Sequence, residues 1–218
     1  MLLRHHPPGI DSRPVRLRPG LEHLEQNSVA VLRWLNVNKV DFVVVGPAAH
    51  AIRGDTNAEG PVAIVPAPYG RNFERLAGAL VAERAGLRGD RGISGGSERS
   101  AAVPVKLSAD KLARGRRWML RFGNYDLDVE VSGMRAAGAA GARPESAQPA
   151  ASAPRYQELL YEAGRFELAD GLSVEVASTE DLEHFSHVRR TGSAPEFRVI
   201  RNAAAEPETA QDSGGSSA

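Results

Sequence analysis

The sequence predicts an α/β (α+β) fold, a sheet with helices packed on it, between disordered termini. Three observations predict it. Short apolar runs of strand length, "VDFVVVG" at 40–46 and "VAIVP" at 62–66, alternate with stretches of helical period such as "NFERLAGALVAERAG". Glycines and prolines stand at the junctions between them. The two ends are too polar and too rich in small residues to build a core. With 218 residues, 42% hydrophobic and 25% charged, the chain is long enough for one domain, expected over 19–202.

Residues 1–18 carry three prolines and Arg4, Arg13, Arg16 and Arg18, and read as a loose basic arm. From Pro19, the residues Leu21, Leu24, Val31, Leu32 and Leu35 recur at helical spacing, so an amphipathic helix is expected to begin there. The run 40–46 reads as a strand buried on both faces. Pro47 suits the first turn of a short helix that Gly54 closes. The stretch "TNAEGPVAIVP" is a second buried strand, crowded at its start by Glu59, Gly60 and Pro61.

The next helix carries Phe73, Leu76, Leu80 and Arg84 and is expected to close at Gly86, leaving 86–100 as a polar, glycine-rich loop. In "RWMLRFGNYDLDVEV" (117–131) the end alternates: Tyr125, Leu127, Val129 and Val131 point one way, and Asp126, Asp128 and Glu130 the other. Residues 135–154 are alanine-, glycine- and proline-rich, as expected of a flexible insertion or linker. A helix at 156–164 precedes a hairpin over 165–177 that turns at Asp170-Gly171. Ser178 stands three residues before Asp181 and opens the helix "TEDLEHFSHVRR". "EFRVI" reads as a final short strand, and 203–218 as a disordered tail.

Composition excludes several classes. Lys and Arg number 27 and Asp and Glu 27, so no long-range field draws the molecule to nucleic acid or an anionic membrane. The absence of cysteine removes disulfides, a thiolate nucleophile and cysteine-type zinc sites. Neither a signal-peptide core nor an apolar run of membrane-spanning length stands out, so a cytoplasmic chain without membrane partners is expected.

In this order the elements resemble the small bacterial nucleotidyltransferase-like proteins of the DNA polymerase β superfamily, which include minimal nucleotidyltransferases and toxin-type relatives. The resemblance runs over about residues 20–200 and implies a mixed sheet flanked by helices. In that family a buried strand leads to a glycine-glycine or glycine-serine pair, a short helix ending in glycine, and a strand bearing Asp-x-Asp. Here "VVVGPAAHAIRG" supplies Gly46 for the first glycine, puts Pro47 in place of the second residue, and ends in Gly54. Counted onward without a gap, the two family aspartates fall at Pro61 and Ala63. "RFGNYDLDV" resembles the strand that bears the third acid, a role left open between Asp126 and Asp128, and Phe185-Ser186 stands where the family often has a lysine.

The family's chemistry clamps two divalent ions with three carboxylates to stabilise the oxygens around a phosphorus. Neither proline nor alanine offers Mg²⁺ an oxygen ligand. The resemblance therefore implies a catalytically degenerate protein, a pseudoenzyme without a cofactor, that acts in ligand or partner binding. A second reading is an active transferase that uses Mg²⁺, an NTP, and Asp126 or Asp128 with acids recruited from elsewhere, Glu59 first, to move NMP to an RNA or protein acceptor. A third is a scaffold or antitoxin-like interaction module.

Other residues carry weaker signals. Gly46 and Pro47 form the candidate nucleotide contact, against a simple strand-to-helix turn. Asp126 and Asp128 are the candidate metal ligands, against a solvated sheet face on which water screens the acids. His184 and His187 share a helix face at metal-compatible spacing, but they and His50 fit surface or packing roles better, and His5-His6 lie in the arm. Lys111, Arg114, Arg116, Arg117 and Arg121 around Trp118 could grip RNA, against a solvated edge.

Overall fold

The computed structural model describes residues 7–88, 102–114, 117–131 and 156–191. The expected linker at 135–154, the strand "EFRVI", the tail and most of the loop 86–100 lie outside the described residues, as do Arg116 and the side chain of His187. Among the described residues six helices flank one eight-stranded mixed sheet, as an α/β fold requires.

The first helix, α1, spans Gln26–Val37, so it starts later than expected from Pro19. Gly20 turns at φ 91°, and Leu21 and Leu24 reach the core from a turn closed by the Leu24 N–H on the Leu21 carbonyl. Their spacing reports burial correctly, but a turn and not a helix satisfies it. Residues 7–18, expected to be loose, run along the body. The Ile10 N–H donates to Glu83 Oε1 at 2.8 Å, the Arg18 N–H to the Leu168 carbonyl at 2.9 Å, and Ile10, Val15 and Leu17 pack against the core.

Strand β1 (Phe42–Val45) and strand β2 (Val62–Pro66) are buried at every position, as continuous apolar runs predict for strands covered on both faces. They pair antiparallel, with helix α2 (Gly46–Ile52) between them. Helix α3 (Gly70–Ala82) then leads into β3 (Gly86–Leu87), so Gly86 belongs to a strand and does not cap the helix. A Cβ there would lie 2.6 Å from the Val103 carbonyl oxygen, which explains the glycine. The three helices end alike. The N–H of Val40, Asp55 and Ala85 bonds to the carbonyl of Leu35, His50 and Leu80, with Lys39, Gly54 and Arg84 in the left-handed region. Only one of these three closing residues is the glycine that a sequence signal looks for.

Strand β4 (Val103–Pro104), helix α4 (Ala109–Arg114), and strands β5 (Arg117–Phe122) and β6 (Tyr125–Glu130) follow. The stretch 117–131 is thus a hairpin, turning at Gly123 with φ 55°. Helix α5 (Tyr156–Glu162), the hairpin β7 (Gly164–Ala169) and β8 (Leu172–Val176), and α6 (Thr179–Thr191) complete the described chain. Ser178 caps α6: its Oγ accepts from the Asp181 N–H at 3.1 Å and donates to Asp181 Oδ2 at 2.7 Å.

The strand order is β4-β3-β5-β6-β2-β1-β8-β7. The central strands are β6, β2 and β1, with β2 parallel to β6 and antiparallel to β1. Helix α1 lies against β6, β2 and β8. Its side chains Val31, Leu32, Trp34 and Leu35 are buried, and Trp34 stacks at 5.0 Å on Phe122 of β5. No described helix is long and apolar enough to cross a membrane.

Candidate functional site

The β2–β6 pairing sets the site. Its register places Val62 beside Leu127, Ala63 beside Asp128 and Ile64 beside Val129. On the other side of β6, the hairpin register sets Arg117 opposite Glu130, Met119 opposite Asp128 and Arg121 opposite Asp126. Because alternate strand residues share a face, the acids of β6 and the arginines of β5 share one surface, while Leu127 and Val129 join the core.

A cleft of about 660 Å³ opens over this surface. Glu25, just before α1, with Asn27, Ser28 and Val31 of α1 form one wall, and Pro47 with residues 59–62 form another. Arg88, just past β3, and Arg117, Met119, Arg121, Asn124, Tyr125, Asp126 and Asp128 complete it. The volume lies in the range of small-molecule sites, and the lining is dominated by charged and polar side chains. Gly60 is held at φ 150°, and a Cβ on it would approach Pro47 Cγ to 2.8 Å, so the start of α2 and the entrance of β2 pack closely within this wall.

Asp128 is 1% exposed and sits between Ala63 and Met119, neither of which can neutralise it. Arg88 Nη2 donates to its Oδ1 at 2.7 Å and Arg117 Nη2 to its Oδ2 at 2.6 Å. Arg121 forks onto Asp126, Nε to Oδ1 at 2.7 Å and Nη2 to Oδ2 at 2.9 Å, and Arg88 Nη1 lies 3.3 Å from Asp126 Oδ2. Arg117 Nε lies 3.2 Å from Glu130 Oε1. Charge-assisted, partly bidentate pairs of this kind are the strong ones.

Burial alone pushes the Asp126 carboxyl up, but the hydrogen bonds and charges of Arg121 and Arg88 together outweigh it and hold the group below the ordinary carboxylate range. The Arg121 guanidinium is raised in turn, chiefly by its hydrogen bond to Asp126.

The expectation of a solvated acidic face is therefore corrected: Asp128 is buried beside β2, and its charge is balanced by Arg88 and Arg117. Pro61, Asp126 and Asp128 come together in the cleft, Ala63 lies against Asp128, and Glu59 is exposed at the rim. Pro47 lines the cleft, while Gly46 is buried at φ 66° at the start of α2.

The basic stretch divides. Arg117 and Arg121 face the acids, whereas Trp118 turns to the other face and donates Nε1–H to the Leu112 carbonyl at 3.2 Å. Among the described residues, Arg117 and Arg121 do not share one surface with Trp118. His50 and His184 are half-buried on separate helices, and Phe185 is buried in the core.

Sequence reasoning missed Arg88 and the pairing role of Arg117 and Arg121. The alternation Arg117, Met119, Arg121 against Asp126, Asp128, Glu130 across a Gly123-Asn124 turn was the available signal. For Arg88 no local signal existed, since its partners are on a strand 40 residues on. No family model matches this chain, and no curated protein matches it.

Proposed function

We propose that this chain is a nucleotidyltransferase-like protein that has lost the family's catalysis and uses the cleft to bind a ligand. One observation carries the reading: β2 and β6 are neighbours in a register that sets Ala63 directly beside Asp128. The strand expected to bear two acids thus lies against the strand expected to bear the third, and the side chains on β2 cannot ligate a metal. The cleft of about 660 Å³ over that junction, lined by charged and polar groups of β5 and β6, supports ligand binding.

The test uses the purified chain with each labelled NTP, Mg²⁺ or Mn²⁺, and a mixed RNA and protein acceptor pool. No metal-dependent label transfer is expected. Transfer that disappears in Asp126→Ala or Asp128→Ala would establish the active transferase instead. In parallel, thermal melting with nucleosides and nucleotides reads binding, because a ligand held only by the folded state at 100 times its Kd adds about 2.7 kcal/mol. A raised Tm supports the cleft as a ligand site, and no rise with any of them favours the interaction module without nucleotide contact.

A further inference from the structure

The divalent ions that the fold resemblance implies do not fit this cleft. All four carboxylate oxygens of Asp126 and Asp128 already meet a guanidinium N–H: both oxygens of Asp126 face Arg121, and those of Asp128 face Arg88 and Arg117. Arg88 also bridges the two acids, with one Nη 3.3 Å from Asp126 and the other 2.7 Å from Asp128. A Mg²⁺ ion needs oxygens at about 2.0–2.1 Å in near-octahedral array, so it could bridge these acids only in the space that the guanidinium holds. Ala63 and Pro61 add no oxygen from β2, and among the described residues no group of three or more His, Asp or Glu is arranged to hold a metal.

We propose that Arg88 is the resident cation of this cleft: its guanidinium stands where a divalent ion would join Asp126 to Asp128, so the native chain takes its ligand without Mg²⁺ or Mn²⁺. The inference rests on reading the cleft as a degenerate transferase site. Its chemistry is a substitution of one positive group for another. A guanidinium satisfies two carboxylates through directed N–H bonds and cannot be displaced by dilution or chelation, because it is covalently part of the chain. Unlike a metal ion, it offers no open coordination position to a phosphate or a water. A dication brought beside it would meet a fixed positive charge only a few ångströms away, with little water between them.

The test is a Mn²⁺ titration of the full chain, read by the loss of the free-ion paramagnetic resonance signal. The native protein is expected to leave the signal unchanged. Arg88→Met should bind Mn²⁺ at least about tenfold more tightly than native, because a repelling charge is removed and the sides of Asp128 Oδ1 and Asp126 Oδ2 that faced it are uncovered. Adding Asp126→Asn to that variant should abolish the gain. Saturable Mn²⁺ binding by the native chain that Asp126→Asn removes would overturn the proposal, as would a folded Arg88→Met that gains none. If Arg88→Met shows no cooperative melt, Arg88→Gln, which keeps an amide donor for Asp128, replaces it, and the native titration decides by itself in either case. Label transfer by the native chain would refute the degenerate reading, whereas Mn²⁺ binding without transfer refutes only this inference.

Discussion

Removing Arg88 should destabilise the fold more than removing the acid it serves. Asp128 is 1% exposed, while the side chains of Arg88 and Arg117 are 15% and 39% exposed. The carboxylate is thus the most deeply buried charge of the cluster. Breaking a buried pair from one side typically costs about 3–5 kcal/mol, because the remaining charge stays buried without compensation. In Arg88→Met, Arg117 still holds one oxygen of Asp128, so the expected loss is about 2–3 kcal/mol.

In Asp128→Asn the buried charge itself disappears. Arg88 keeps Asp126 and Arg117 keeps Glu130, so about 1–2 kcal/mol is expected. The double variant should lose at least about 1 kcal/mol less than the sum, since the two side chains touch at 2.7 Å. Urea unfolding of the four proteins at neutral pH supplies the cycle, with comparable m-values as the check on two-state behaviour. A loss below about 0.5 kcal/mol for Arg88→Met, or strict additivity in the double variant, would refute the view that a buried ion-pair lattice holds this part of the sheet.

Two further outcomes follow from the same geometry. Gly60→Ala should lower stability by about 1–3 kcal/mol, because it puts a Cβ at φ 150° against Pro47, and chemical denaturation would measure it; an unchanged midpoint would mean that Pro47 and Gly60 are not in close contact. The lowered Asp126 carboxyl makes a pH prediction. A group whose folded-state value lies below its unfolded one contributes stability above the ordinary carboxylate value of about 4, and that contribution is lost as pH falls through the folded value. The Tm gap between native and Asp126→Asn should accordingly be full at pH 6–7 and narrow below about pH 4, and a gap independent of pH would count against the arginine pairing.

The sequence by itself determined the parts of this protein that depend on near neighbours in the chain. Continuous apolar runs at 42–45 and 62–66 implied strands covered on both faces, and both are fully buried. The Asp170-Gly171 turn and the Ser178 cap were legible because turn and cap chemistry act over two to three residues. The alternation along 125–131 showed which residues of β6 share a face, and the types at 61 and 63 showed that no acid stands there.

Tertiary structure alone decided what surrounds those faces. Whether Asp128 is a solvated acid or a buried ion depends on β2 lying beside it and on Arg88 arriving from 40 residues away, and neither is a local property. The closure of α1 and α3 by Lys39 and Arg84 likewise escaped the glycine signal, since the packing of the following strands imposes the left-handed turn. A charge pattern specifies which groups can pair; only the register of the sheet brings arginine to aspartate at 2.6–2.7 Å and sets Ala63 beside Asp128.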